Sequence, residues 1–426
     1  MIGIDICNIS RFSKMKNLDN FLKRYFTVEE NEYIIKTGKR DETIAGIFSL
    51  KEAFVKAIGT GFGSISPIDV EIIHNFSGKP DLIIHNDIIK KIEQISCSIS
   101  HDSEYAIAVV DVKFFNLAID TKNILDYKNL MINRKVDGHK GDFGKVGIIG
   151  GSVGMCGSVD LCAKASLRTG SGLVYNICPN SISDILQIKA VENIVLSIPD
   201  DNRGCFISKY IDEIIEKIKN LDAIAIGCGL GRNEENIKIL EMIIKKFQKP
   251  IVIDADAIFF LRNIKAEILN RDNIIITPHE VEFSRMSSYD LEDIKQNRLE
   301  IVNNFFENKY KYTLVLKGKN TIVKSYEEIY INNTGNSGMA TAGSGDCLTG
   351  IILSLLGQGI SVFNSAKLGV FIHGLAGDFA REKIGEDSLI ASDIINFLPR
   401  AIRYIREWNY VWKSIINFCW FRQIKK

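Results

Sequence analysis

Two kinds of hydrophobic pattern follow one another along this chain. Over residues 1–118 apolar and polar positions alternate in short stretches. Residues 1–9, 70–73, 80–85 and 105–112 read as strands, and residues 11–25 and 41–58 as helices. In the second of these helices Ile44, Ile47, Phe48, Val55 and Ile58 form one apolar stripe. From about Lys135 the pattern changes to continuous apolar runs, at 146–149, 172–177, 223–226, 251–253, 273–276 and 313–316, separated by helical stretches. Runs of this length suit strands buried on both faces, so an α/β domain with a largely parallel sheet is predicted there. Residues 119–134 are polar and free of glycine, and are read as a linker. The predicted order is an α+β domain over 1–118, the linker, an α/β domain over 135–405 and a tail over 406–426. In the tail Trp408, Trp412 and Trp420 share a helical face with Val411, Ile415, Ile416 and Cys419, which predicts docking on its own domain or on another subunit.

Composition narrows the function classes. Of 426 residues 46% are hydrophobic and 25% charged, an ordinary globular balance. The net charge of +1 gives no global field for nucleic acid. No apolar run reaches the ~20 residues of a membrane span, and the first residues lack a basic stretch followed by an apolar core, so a cytoplasmic protein is expected. The nine cysteines are scattered without a C-x-x-C pair, which argues against a disulfide framework and a structural zinc site.

Three segments of the first domain carry chemistry. In Gly3-Ile4-Asp5-Ile6-Cys7, Asp5 points away from the face shared by Ile2, Ile4 and Ile6. It is either a solvated carboxylate on an edge strand or a ligand. In FSLKEAFVKAIGTG, Glu52 and Lys56 stand at i, i+4, and Gly59 is placed to stop the helix. Glu52 is either half of a surface ion pair or a second ligand beside Asp5; two carboxylates plus phosphate oxygens suit Mg²⁺. Gly59-Thr60-Gly61 offers backbone N–H groups to phosphates. The third segment, SISHD, carries His101 after a strand.

In the order GIDICNISRF, RYFTVEENEYI, FSLKEAFVKAIGTG, SGKP and SISHDSEYAIAVV, residues 1–112 resemble the holo-[acyl-carrier-protein] synthases, the small 4′-phosphopantetheinyl transferases. The resemblance implies CoA as donor and a serine of acyl carrier protein as acceptor, a step of fatty acid biosynthesis. Asp5 and Glu52 match the Mg²⁺ ligands, and Lys56 matches a lysine that helps deprotonate the acceptor serine. Gly59, Thr60, Gly61 and His101 fall on the CoA side. It also implies a homo-oligomer, because these synthases build sites between subunits. The family's usual Arg two residues before Ser49 is Ile47 here, which predicts a weaker anion or partner contact. Arg11, Lys14, Lys16, Lys23 and Arg24 are opposed only by Asp19 in their stretch and are either a solvated face or a docking surface for an acidic carrier protein.

In the second domain HKGDFGKVGIIGGSVGMCGS is a strand entering a glycine-dense turn, fitting neither the dinucleotide fingerprint nor a P-loop. NNTGNSGMATAGSGDCLTG runs into an apolar helix, so free N–H groups and the helix dipole make an anion site. Asp346 at that entrance is either an N-cap or a base that takes a proton from an attacking hydroxyl. For Asp254 and Asp256 in DADA, capping of a helix is expected of one, and His373 is assigned to packing.

With GLG, DADA, TPHEVEF and LKGKNT added, residues 135–400 resemble the ADP- or ATP-dependent NAD(P)H-hydrate dehydratases, which share the Gly-x-Gly-Asp turn of ribokinase-like kinases. The implied reaction repairs hydrated NADH or NADPH: the nucleotide phosphorylates the C6 hydroxyl and phosphate then leaves. By motif, Ser158, Gly231, His279 and Asp346 contact the hydrated dinucleotide, and Lys317, Gly318, Lys319, Asn320, Thr321 and Gly345 the adenine nucleotide. Cys228, Ala342, Ser344 and Ser158 stand where Pro, Gly, Thr and Ala are usual; none removes a charged group. Many relatives fuse the dehydratase to an epimerase domain, for which residues 1–118 are too short. The expectation is thus a bifunctional enzyme. The alternatives are a hydroxymethylpyrimidine- or thiazole-type kinase in the second domain, and a non-catalytic docking module in the first.

Overall fold

A computed structural model describes residues 1–63, 65–75, 78–85, 92–114 and 124–407, so the predicted tail helix lies outside the described residues beyond Glu407. The strands are β1 (Ile2–Asn8), β2 (Val70–His74), β3 (Pro80–Ile84), β4 (Ile92–His101), β5 (Tyr105–Phe114), β6 (Lys145–Ile149), β7 (Leu173–Pro179), β8 (Ile194–Ile198), β9 (Ala223–Ile226), β10 (Ile251–Ile253), β11 (Ile274–Ile276), β12 (Thr313–Leu316), β13 (Ile322–Lys324) and β14 (Ile329–Ile331). They belong to two compact units that meet in sequence after Ala118.

The first unit is an antiparallel sheet, β1-β5-β4, with a separate β2-β3 hairpin. The helix Asp41–Ala57 lies on one face of the sheet. Gly3 makes this close: a Cβ there would fall 2.0 Å from the carbonyl oxygen of Ala53. Gly3, Asp5 and Cys7 therefore face the helix, and Ile2, Ile4 and Ile6 face solvent. The single helix expected over 11–25 is two, Ser10–Ser13 and Leu18–Tyr25. A further helix, Val28–Lys36, is started by a Thr27/Glu30 capping box. Glu30 also accepts from Ile72 N (2.7 Å) and pairs with Lys51 Nζ (2.7 Å), both side chains fully buried.

The second unit is a nine-stranded sheet, β14-β13-β12-β11-β10-β9-β6-β7-β8, parallel from β12 to β8 and antiparallel at β13 and β14. Both faces are covered, which explains the all-apolar strands. Ile224 and Ile226 of β9 pack into one core with the helices Ile211–Ile218, Glu235–Lys246 and Arg298–Phe306. The smaller Ala223 and Ala225 face the helices Cys156–Thr169, Ser344–Gly357 and Val362–Ile384. Part of the segment read as linker is an element of this unit. Ile124–Leu130 is a helix whose Tyr127 ring stacks on Phe371 at 3.9 Å, because its apolar residues fall on one face. Strand β8 was not foreseen, its Asn193-Ile194-Val195 stretch being short and partly exposed. No helix among the described residues is long and apolar enough to cross a membrane, and the eight cysteines there are free.

Candidate functional site

In the first unit the close fit of β1 on the helix Asp41–Ala57 gathers three of the predicted side chains. Lys56 Nζ donates to Asp5 Oδ1 at 2.6 Å, so the lysine pairs with the strand rather than with Glu52 one turn earlier. Asp5 is 12% exposed and Lys56 51%. Burial, and then the charge of Asp5, push the Glu52 carboxyl above its ordinary value. Hydrogen bonding to Asp5 lifts the Lys56 ammonium above its own. Two carboxylates thus share one mobile cation. Gly59 (φ +77°), Thr60 and Gly61 (φ +56°) form the exposed loop that ends this helix, and His101 is exposed at the end of β4. Ile47 lies in the core at 1% exposure, so that position does not present a side chain to a ligand. Arg11, Lys14, Lys16, Lys23 and Arg24 are all exposed.

In the second unit the predicted residues converge at the C-terminal ends of the parallel strands, where ligands of such sheets gather. The helix Ser344–Gly357 begins at a left-handed Gly343 and packs on the helix Cys156–Thr169. The approach is tight because a Cβ on Gly350 would fall 2.2 Å from the Cys162 carbonyl oxygen. Asp346 is the third residue of its helix and not an N-cap, which leaves its carboxylate free for chemistry. Burial and the charge of Asp254 raise it to about 6, against hydrogen bonds from Cys228 and Ser158 and the charge of Lys317. The Cys228 sulfur and one carboxylate oxygen each of Asp254 and Asp346 lie within 4.8 Å of one another.

Asp254, at the end of β10, caps no helix. It is 1% exposed and accepts from Lys317 Nζ (2.7 Å), Thr277 Oγ1 (2.8 Å) and Thr349 Oγ1 (2.7 Å). Burial alone would push it up, but these partners bring it below the ordinary carboxylate range. Burial likewise acts to lower Lys317, yet Asp254 and Glu282, at 2.7 and 3.9 Å, hold its ammonium above its ordinary value. Asp256 caps no helix either: it accepts from the backbone N–H of Gly231 (3.0 Å) and from Arg232 Nε (3.3 Å). It thereby fixes the left-handed Gly231.

His279 starts the helix Glu280–Ser287 through a reciprocal cap: its Nδ1 accepts from Glu282 N (3.3 Å) and its N–H donates to Glu282 Oε2 (2.8 Å). Its imidazole is 51% exposed, and burial and the charge of Lys317 lower it below its ordinary value. His373 is half-buried, desolvation lowers it to about 4, and its Nε2 is 3.4 Å from Ser344 Oγ.

The motifs did not single out several residues that shape the site. Arg298, on the helix Arg298–Phe306, donates to the carbonyls of Leu316 and Lys317 (3.0 Å each) and of Lys319. It templates the loop 317–321, where Gly318 (φ +135°) and Asn320 (φ +54°) are left-handed or beyond. Asp378 accepts from Gly335 N and Asn336 Nδ2 (2.9 Å each) and shapes the loop before the Gly-rich turn. Thr277 and Thr349 sit inside recognised motifs, and only their shared partner Asp254 reveals a role.

Comparison with known proteins follows this division. The model of the family described as NAD(P)H-hydrate dehydratase matches residues 146–400. That of the 4′-phosphopantetheinyl transferase superfamily matches residues 1–110. The chain is 37% identical over 277 residues to the bifunctional NAD(P)H-hydrate repair enzyme Nnr of Moorella thermoacetica, covering 64% of this chain and 52% of that protein. It is 34% identical over 297 residues to the ADP-dependent (S)-NAD(P)H-hydrate dehydratase of Neisseria meningitidis, covering 68% and 94%. The chain thus spans about half the length of most of these curated relatives. A ribokinase-like superfamily protein from Enterococcus faecalis superposes with a TM-score of 0.58 at 26% identity, covering 68% of this chain and 99% of that one.

Proposed function

Since the chain belongs to the NAD(P)H-hydrate dehydratase family, we propose that its second domain, 135–405, uses ADP or ATP to return (S)-NAD(P)H-hydrate to NAD(P)H. The observation that carries this reading is Asp346. A carboxylate held near 6 at the first turn of a helix can accept a hydroxyl proton at neutral pH, and the turn's N–H groups receive the phosphoryl charge. With ADP, the C6 hydroxyl oxygen bonds to the β-phosphorus as the bridging P–O bond breaks and its electron pair leaves on AMP. The proton passes to Asp346. The C6–O bond then breaks with phosphate taking the pair, and a proton lost from the adjacent ring carbon restores the double bond. Ser158, Gly231 and His279 line the dinucleotide side. Residues 317–321 and Gly345 line the nucleotide side. Incubating hydrated NADH with ADP or ATP and following recovery of dihydropyridine absorbance tests this; phosphorylation of a hydroxymethylpyrimidine instead would favour a kinase.

For residues 1–118 we propose transfer of 4′-phosphopantetheine from CoA to a serine of acyl carrier protein. The match to the transferase superfamily and the paired carboxylates support it. Asp5 and Glu52 fit Mg²⁺: both are hard oxygen donors, and their mutual repulsion is what a divalent cation relieves. When bound, the metal would neutralise the CoA diphosphate and the leaving 3′,5′-ADP. Lys56, exposed beside Asp5, would take the serine proton only once its own ammonium proton has passed to solvent. Gly59, Thr60, Gly61 and His101 lie on the CoA side, and the exposed basic residues from Arg11 to Arg24 complement an acidic carrier. The bare face of Ile2, Ile4, Ile6, Ile107 and Val109 supports a homo-oligomer. Mass spectrometry of a carrier protein incubated with CoA, with and without Mg²⁺, tests the assignment.

A further inference from the structure

We propose that Asp254 is a positioning residue for phosphoryl transfer: it pins the Lys317 ammonium against the first turn of the helix Ser344–Gly357. Lys317 then serves the transferring phosphoryl group itself and not only nucleotide binding. The inference rests on the dehydratase reading above and assigns roles within its site.

Three observations carry it. Asp254 has no freedom to rotate. Its two oxygens take three donors on three separate elements: Lys317 after β12, Thr277 after β11 and Thr349 within the helix. Holding three donors, it is a poorer acceptor for a substrate proton than Asp346. Second, Lys317 is only 18% exposed, unlike Lys319 in the same loop, which lies on the surface. A lysine recruited only to meet a diphosphate from solvent needs no buried anchor. Third, the ammonium lies against the turn. A Cβ on Gly345 would stand 3.3 Å from Lys317 Nζ and 4.0 Å from Asp254 Oδ2, so glycine is what lets the cation reach the phosphoryl-binding N–H groups. Glu282 is 3.9 Å away, too far for a hydrogen bond, and leaves Nζ protons free to face a ligand.

The chemistry follows from the charge flow. As the hydroxyl oxygen bonds to the terminal phosphorus and the bridging P–O bond gives its pair to AMP, negative charge spreads over the non-bridging oxygens. A cation already fixed there stabilises that charge without reorganising. Asp254 supplies the fixing, and Asp346, next after Gly345 and with a carboxylate oxygen within 4.8 Å of one of Asp254, accepts the proton.

The test is a double-variant cycle on the full chain with hydrated NADPH and ADP. D254N and K317M are each expected to lower kcat by ~10²-fold, a larger loss than any rise in KM for ADP. D254N/K317M is expected to be no slower than K317M, because Asp254 acts through the lysine. T349V keeps every charge and removes one of the donors that hold Asp254; it is expected to lower kcat ~3–10-fold while lowering the melting temperature by only a few degrees, so that the chain stays folded at the assay temperature. It decides the question even if D254N does not fold. Losses that multiply in the double variant, losses confined to KM for ADP, or a T349V enzyme with wild-type kcat overturn the inference. A wild-type chain that turns over the hydrate with neither ADP nor ATP overturns the dehydratase reading and this inference together. An active wild type with multiplying losses overturns this inference alone.

Discussion

Each unit sets a lysine against an aspartate borne at a strand, with a second carboxylate beside them, and the two arrangements differ in who owns the cation. Asp5 and Lys56 meet at 2.6 Å, but Lys56 is 51% exposed on a surface helix. Its ammonium is open to solvent, and the metal proposed for Asp5 and Glu52 would replace it. Asp254 and Lys317 meet at 2.7 Å with exposures of 1% and 18%, and two threonine hydroxyls complete the aspartate. There the positive charge is part of the fold. An open cluster of this kind borrows its electrophile from solution; a closed one carries it. The role proposed for the remaining carboxylate differs accordingly, Glu52 as a metal ligand and Asp346 as a proton acceptor.

The largest expected effect separates the two units. Asp346→Asn should cost the dehydratase ~10²–10⁴-fold in kcat and leave carrier-protein loading unchanged. The same variant should be more stable. A carboxyl raised from 3.8 to about 6 holds its proton better in the folded chain, so stability falls as pH rises through that window. Asparagine removes this penalty, on the order of 3 kcal/mol at neutral pH. Melting curves at pH 7.5 and pH 4 should show a gain at the first and little at the second. Wild-type turnover in this variant would sink the base assignment.

Next in size, Asp5→Asn and Glu52→Gln should each raise the Mg²⁺ concentration needed for pantetheinyl transfer by ~10-fold or more, with no change in hydrate repair. A carrier protein loaded at the normal rate in limiting Mg²⁺ would show that the open cluster is only a surface ion pair. Smaller again is Arg298→Ala. It strips three backbone carbonyls of the nucleotide loop of their shared donor. KM for ADP should rise ~10-fold with a lesser change in kcat. Arg298→Lys should recover little, because an ammonium cannot span carbonyls that a planar fork reaches. Unchanged nucleotide affinity would mean that the loop holds its shape without the clamp.

What the sequence made legible divides along the same line. The buried parallel strands β6, β7, β9, β10, β11 and β12 announce themselves as apolar runs, because a strand covered on both faces has no polar side to confuse the pattern. β8, β13 and β14 lie toward the sheet's edges and lose that signal. The capping-box helix Val28–Lys36 was recognisable from Thr27 and Glu30 three residues apart, yet its apolar stripe is too thin to stand out. Glycine motifs placed Asp346 and Lys317, since turns that bind anions need backbone freedom at fixed spacing. Arg298, Thr277 and Thr349 act across 18 to 95 residues of sequence on groups they do not adjoin. No local pattern encodes such a pairing. Capping was expected of one of Asp254 and Asp256 because Asp before a short helix usually caps it; the buried lysine on Asp254 and the Gly231 N–H on Asp256 show otherwise.

The smallest effect is expected from Ser158→Ala, and it probes how finely the closed cluster is set. Ser158 reaches Asp346 from the helix Cys156–Thr169, and its hydroxyl lowers the carboxyl that burial and Asp254 raise. The groups facing Asp346 are then Asp254, Lys317, Cys228 and, behind it, Cys162 and Cys347. Loss of one donor to a carboxylate leaves the charged form less stabilised, so its pKa moves further up from about 6. The base must be ionised to act. The acid limb of the dehydratase pH profile should therefore shift to higher pH by a few tenths of a unit, on the order of one hydrogen bond in a crowded site. Above pH 8, where Asp346 is ionised in both forms, kcat should agree within ~2-fold. An acid limb that stays in place, or moves to lower pH, would mean that the Ser158 hydroxyl points to substrate instead of to the base.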